Sequence, residues 1–275
     1  MPQVSDADTA SAFAASWNTL PAGSVYTKAQ FEDWFSPLTQ DDIIGRSVLE
    51  LGCGNASLMV HMVNWHPNKL VGVDLGDSVL SARRNMQATG FAQHEIVQGD
   101  LTTFGSDGFD LVYCIGVLHH LQNPEAGFDS VIRNTGPGGR FHCWVYAREG
   151  NGIVIALIEP LRRIASKLPW WVTKYAIAAP LAALFYAYAK TICALRSFPG
   201  IRFTPLYRYS IWIAAREYAF FHHVAFDQLV TPATIYVSEA TIWSWLRRHP
   251  RVDLTKAYVL MRNGNSWKFG GTLRL

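Results

Sequence analysis

Between Glu159 and Glu217 the chain of 275 residues contains no aspartate or glutamate, while Arg162, Arg163, Lys167, Lys174, Lys190, Arg196, Arg202, Arg208 and Arg216 are spread through the same stretch. A net charge of only +3 therefore conceals a basic middle. Cysteine is scarce too: Cys53, Cys114, Cys143 and Cys193 are far apart and form no CxxC pair, which argues against a zinc ribbon or a disulfide framework and for reduced thiols. Residues 1–20 lack a basic start followed by an apolar run, so no secretory leader is expected and the cytoplasm is the expected location. The uncharged run Tyr175 to Ala189 would reach about 22 Å as a helix, short of the roughly 30 Å hydrocarbon layer, and contains Pro180; a membrane-spanning helix is not expected. With 49% hydrophobic and 16% charged residues, the chain is too apolar for disorder.

From Arg46 to Ala147 short apolar runs alternate with helical stretches, the rhythm of βαβ units around a parallel sheet. Expected strands are Ser47 to Leu51, Leu70 to Asp74, Glu95 to Val97, Phe109 to Ile115 and Arg140 to Tyr146, with helices over Ala56 to Trp65, Ser78 to Thr89 and Pro124 to Asn134. The rhythm stops after Tyr146. Residues 153–225 read as helices rich in Ala, Leu, Trp and Tyr, interrupted at Pro160, Pro169, Pro180, Pro199 and Pro205. A helix capped by Ser238 then leads to strands near Leu254 to Met261 and Ser266 to Leu273, joined by a hairpin at Asn263-Gly264. The expected fold is α/β: a Rossmann-like, doubly wound, seven-stranded and mostly parallel sheet with a helical cap inserted after strand five. Its expected parts are an N-terminal helical cover (1–45), a cofactor-binding core (46–150), an apolar basic cap (151–235) and a closing helix with two strands (236–275).

Glu50-Leu51-Gly52-Cys53-Gly54 ends the first strand just before a helix. Glycines there let the backbone turn tightly and approach a ligand. A dinucleotide fingerprint would place a third glycine where Ser57 stands, which weakens a nicotinamide reading. Asp74 ends the second strand, 20 positions after Gly54, where a carboxylate can accept from ribose hydroxyls. Gly99-Asp100-Leu101 follows strand three, Phe109-Asp110-Leu111-Val112 opens strand four, Val117-Leu118-His119-His120-Leu121 follows it, and Pro137-Gly138-Gly139 precedes strand five. Over Arg46 to Ala147 this set resembles the class I S-adenosylmethionine-dependent methyltransferases, especially their small-molecule branch.

The resemblance implies S-adenosylmethionine as cofactor and S-adenosylhomocysteine as product. It implies that Glu50 helps hold the methionine end, that Gly52, Cys53 and Gly54 form the close backbone turn, and that Asp74, followed by Leu75, takes the ribose. Asp100 and Leu101 would meet adenine, and the backbone at Ile115 and Gly116 would face the sulfonium methyl. Methyl transfer needs alignment more than a fixed catalytic group, but a hydroxyl acceptor would gain from a base, for which His119 and His120 are the candidates. His222 and His223 lack the Glu of an H-E-x-x-H site, so no metal is expected.

The basic, aromatic middle then suggests a lid over an apolar or aromatic, lipid-like small-molecule acceptor, with peripheral contact to an anionic membrane surface as a compatible second role. Trp17, Tyr26, Phe31, Trp34 and Phe35 could complete that cover. Cys114-Ile115-Gly116-Val117 stands where a base-methylating enzyme would have an N-P-P-Y-like tetrad. Nucleic acid is accordingly set aside as a partner, although a nucleic-acid methyltransferase and a non-catalytic cofactor-binding protein remain the alternatives.

Overall fold

A computed structural model describes residues 5–17, 26–231 and 234–275. Helices α1 (Asp6–Trp17) and α2 (Lys28–Phe35) precede the sheet, α2 being started by a capping box in which the Thr27 side chain accepts from the Gln30 amide and Gln30 returns the bond. Strands β1 (Ser47–Leu51), β2 (Lys69–Asp74), β3 (His94–Gln98), β4 (Phe109–Ile115), β5 (Thr135–Tyr146), β6 (Tyr258–Arg262) and β7 (Ser266–Thr272) form one sheet in the order β3-β2-β1-β4-β5-β7-β6. The first five strands pair in parallel, and β7 runs antiparallel between β5 and β6. The order reverses between β1 and β4, so a crevice opens there at the carboxyl ends of the strands.

Helices α3 (Met59–Met62), α4 (Ser78–Ala88) and α5 (Pro124–Asn134) make the parallel crossovers, and α11 (Glu239–Arg248), with Ser238 accepting from the Thr241 amide, leads into the closing hairpin. The hairpin turns at Asn263 and Gly264, both in the left-handed region as a tight two-residue turn requires. One expected helix is much shorter than its apolar pattern suggested. Ahead of α3 the Asn55 side chain accepts from the Ser57 amide and Ala56 is left-handed, so a turn replaces the first helical residues; Val63–Trp65 then tightens into a 3-10 turn.

Leu49, Val112, Phe128, Phe141 and Phe269 pack on one side of the sheet with α5 and α11. Phe31, Phe35, Met59, Val79 and Tyr113 pack on the other. Phe31 and Phe35 are therefore core residues against Trp65 and Tyr113, and do not cover a ligand site; the Trp17 side chain lies outside the described residues.

The cap comprises α6 (Gly152–Ala165), α7 (Trp170–Val172), a π-helical stretch Thr173–Ala178, α8 (Ala179–Ala194), α9 (Tyr207–Ile213) and α10 (Tyr218–Val230). Two expected interruptions are absent: Pro160 lies inside α6, and Trp170–Ala194 is continuous through Pro180. The wide π turn immediately before Pro180 changes the backbone register where the ring would clash and a donor is missing. The resulting 25-residue helix is long and apolar enough to cross a membrane by length and composition.

Candidate active site

One cavity of about 460 Å³ lies at the β1/β4 crevice and extends into the cap. Glu50, Gly52, Cys53, Gly54, Asp74, Leu75, Asp100, Leu101, Ile115 and Gly116 all line it. The sheet explains the convergence. Each residue sits at or just past the carboxyl end of β1, β2, β3 or β4, and parallel pairing brings those ends to one edge.

The β1 turn depends on its glycines. Gly52 has φ +82°, and a Cβ there would stand 2.4 Å from Val117 Cγ2; Gly116 across the crevice has φ +81°. The Gly54 amide donates to Asp74 Oδ2 at 2.9 Å, while the Gly76 amide (2.9 Å) and the Ser78 hydroxyl (3.0 Å) donate to Oδ1. Asp74 therefore ties the two loops together, and Oδ2 keeps acceptor capacity for a sugar hydroxyl. Thr102 donates to Asp100 Oδ1 through its amide (2.8 Å) and hydroxyl (2.7 Å), which fixes the carboxylate at the cavity wall.

Glu50 is only 3% exposed and accepts from the Tyr113 hydroxyl at 2.8 Å. Burial pushes its carboxyl well above the usual range, with the Tyr113 bond opposing the shift and the Asp74 charge adding to it. A buried acid on a cavity wall fits a cationic ligand group, whose charge would restore the ionised form. The ammonium of S-adenosylmethionine is such a group, and Asp74 at the end of β2 and Asp100 beyond β3 suit its ribose and adenine. The acceptors present thus fit the cofactor.

The two adjacent histidines are separated by the fold. His120 lines the cavity with its Nδ1 3.1 Å from Thr234 Oγ1. His119 is fully buried behind it, against Trp144 and Tyr146; desolvation, then the His120 and Arg162 charges, hold its imidazole well below the ordinary range, so it stays neutral. Among the described residues no group of three or more His, Cys, Asp or Glu is placed to hold a metal ion. His222 bonds the Lys174 carbonyl at 2.8 Å.

The cap and the closing hairpin add wall residues that no local motif marks. Phe185, Tyr209 and Trp212 bring aromatic faces, Arg262 and Asn265 come from the β6–β7 hairpin, and α10 contributes His223, with Nε2 3.1 Å from Asp227 Oδ2. The i, i+4 spacing of His223 and Asp227 is the one signal in the sequence that could have paired them. Beside them Arg162 is wholly buried, donating to Glu159 Oε2, the Gln228 carbonyl (2.6 Å) and Gln228 Oε1 (2.8 Å).

Residues 49–141 match the family described as "Methyltransferase domain". Residues 49–141 thus form a methyltransferase domain, with the fold of the class I S-adenosylmethionine-dependent methyltransferases. The chain's fold is similar to that of magnesium protoporphyrin IX methyltransferase from Synechocystis PCC 6803, solved with S-adenosylhomocysteine, at 16% identity and a TM-score of 0.53 over 92% of this chain and 84% of that one. Among curated relatives, a ubiquinone biosynthesis O-methyltransferase of Psychrobacter cryohalolentis is 32% identical over 103 residues, covering 35% of this chain and 39% of the relative. A tRNA U34 carboxymethyltransferase of Sulfurovum sp. is 29% identical over 115 residues, covering 40% and 38%. The matched stretch thus spans well under half of those relatives' own length. Setting nucleic acid aside as a partner has to be corrected: proteins named for tRNA modification share this domain's sequence as closely as proteins named for quinone synthesis. The missing N-P-P-Y-like tetrad bears on one branch of base methylation and says nothing about others.

Proposed function

We propose that the chain is a methyltransferase that moves a methyl group from S-adenosylmethionine to an apolar, ring-bearing small molecule of the quinone or tetrapyrrole kind. The observation that carries this reading is the continuity of one cavity from the acid-lined sheet edge to a cap wall of Phe185, Tyr209, Trp212 and Phe220. Acid-lined and aromatic halves in one space suit a polar cofactor and an apolar acceptor side by side. The names of relatives associated with ubiquinone synthesis and of a structural neighbour acting on a porphyrin point the same way.

When bound, S-adenosylmethionine supplies a methyl on a sulfonium that is already a good leaving group. The chain's own task is then alignment and exclusion of water. Glu50 orients the cationic end, and the left-handed turn at Gly116 keeps side-chain bulk out of the crevice. Two imidazoles face the cavity, His120 held by Thr234 and His223 beside Asp227, and either can take the proton of an acceptor hydroxyl.

Incubation with isotopically labelled S-adenosylmethionine and, separately, an isoprenoid quinol, a porphyrin and bulk tRNA tests the reading by mass spectrometry. Label in the quinol or porphyrin is expected. Label confined to tRNA would overturn the acceptor while leaving the donor site in place.

A further inference from the structure

The cap buries one side of its long helix and leaves the other bare. Thr173, Ala178, Ala182, Ala189 and Ile192 face inward, toward α9 and α10, whereas Pro180, Ala183, Leu184, Ala187, Lys190, Thr191 and Ala194, recurring every three or four residues, are exposed, Lys190 with its ammonium turned back onto the Ala214 carbonyl. Leu184 is 72% exposed, and Trp170 and Trp171, which open the helix, are 53% and 57% exposed. Beyond its end Phe198 and Phe203 are exposed as well. A soluble surface seldom concentrates bare Trp, Phe and Leu in one segment.

Basic residues flank both ends: Arg163 and Lys167 before the first, Arg196 and Arg202 beyond the second, all exposed. Elsewhere exposed bases such as Lys69 and Arg248 meet carboxylates, but among the described residues none lies within salt-bridge distance of these four. No acid occurs between Glu159 and Glu217 to neutralise them. We propose that this face of the cap is a docking surface for an anionic lipid bilayer, with the aromatic and aliphatic side chains entering the interface and the basic ones meeting headgroup phosphates.

Charge complementarity selects a lipid surface, and the apolar stripe between the basic ends selects it over RNA, whose phosphates would match the bases but leave Leu184 and its neighbours bare. The helix lies along the membrane and does not cross it. Lys190 Nζ donates to the Ala214 carbonyl and the Tyr218 hydroxyl to the Ala179 carbonyl, so a spanning helix would drag α10, with Asp227 and His223, into hydrocarbon. Leu157 on α6 is 66% exposed and also lines the cavity, which places an apolar rim at the cavity mouth. Docking does not require methyl transfer and stands or falls separately from the acceptor.

Flotation of the full chain with phosphatidylglycerol-containing vesicles, against pure phosphatidylcholine vesicles, tests the surface. Two variants are compared with the wild type: Trp170→Ser/Trp171→Ser/Leu184→Ser, and the charge reversal Arg163→Glu/Lys167→Glu, which keeps every apolar contact. Wild-type protein should float with the anionic vesicles, be released by high salt and alkaline carbonate, and leave neutral vesicles unbound. Each variant should lose about tenfold or more in partitioning, while its affinity for S-adenosylhomocysteine, measured by calorimetry, stays at the wild-type value and so reports an intact fold. Equal flotation of the charge-reversal variant would overturn the proposal. So would absence of anionic-vesicle binding, whether the serine variant instead splits a wild-type dimer or salt-sensitive RNA retention takes the vesicles' place, and so would resistance to carbonate extraction, the mark of a spanning helix.

Discussion

The cap is the more apolar of the two regions in sequence, yet the sheet buries its apolar residues more completely. Phe128 in α5 is wholly buried and touches Phe141, Trp245 and Phe269, so four elements, α5, β5, α11 and β7, share one core. The cap's buried residues form two small clusters, around Phe226 and around Phe221, and its largest fully buried side chain is a cation, Arg162. Apolar composition alone therefore does not make a core. The parallel sheet covers both its faces, whereas the cap leaves one face of a long helix bare and turns another inward to a cavity.

The largest effect expected from that contrast is on stability. Phe128→Ala should cost about 3 to 5 kcal/mol in chemical denaturation, the range for emptying a packed aromatic site. A loss under about 1 kcal/mol would mean that the sheet core is no tighter than the cap. Next, Gly52→Ala should weaken S-adenosylhomocysteine binding about 100-fold, because it adds a left-handed penalty to a Cβ driven against Val117. Calorimetry at matched protein stability checks it, and unchanged affinity would show that the β1 turn is not the cofactor cradle.

A smaller, two-signed effect belongs to Glu50. Its folded carboxyl titrates above the unfolded value, so the stability it contributes is full below the ordinary glutamate value of 4.5 and is lost as pH rises through the folded value. Glu50→Gln should flatten that decline and raise the melting temperature of the ligand-free protein at neutral pH, yet weaken cofactor binding. Wild-type affinity should increase with pH as the carboxylate forms, with protons released on binding; a pH-independent affinity matched by the variant would remove Glu50 from the site. The smallest expected effect is in the cap: Leu184→Gln should change solution stability by less than about 0.5 kcal/mol, since the side chain is already in solvent.

The same contrast explains what could be read in advance. Strand β4 and helix α5 have the expected bounds, Phe109 to Ile115 and Pro124 to Asn134, and the acids at the ends of β1, β2 and beyond β3 converge because parallel pairing leaves them no other arrangement. Where local rules competed, reading failed. Asn55 redirected the backbone ahead of α3, and a π turn carried the chain past Pro180. The division between His119 and His120 could not be read either, since neighbouring residues in a 3-10 turn point differently and only tertiary packing decides which reaches the cavity. Arg262 and Asn265 join the wall from more than 100 residues beyond the acids at the strand ends, at positions that carry no pattern of their own.

The division of labour across one cavity is tested most directly by measuring cofactor affinity and methyl transfer on a single cap variant, Phe185→Gln, which makes the aromatic half of the wall polar and leaves the sheet edge untouched. S-adenosylhomocysteine affinity within about twofold of wild type, together with at least a tenfold fall in kcat/KM for the quinol or porphyrin acceptor, is the predicted result. Loss of cofactor affinity with acceptor kinetics otherwise preserved would contradict the account.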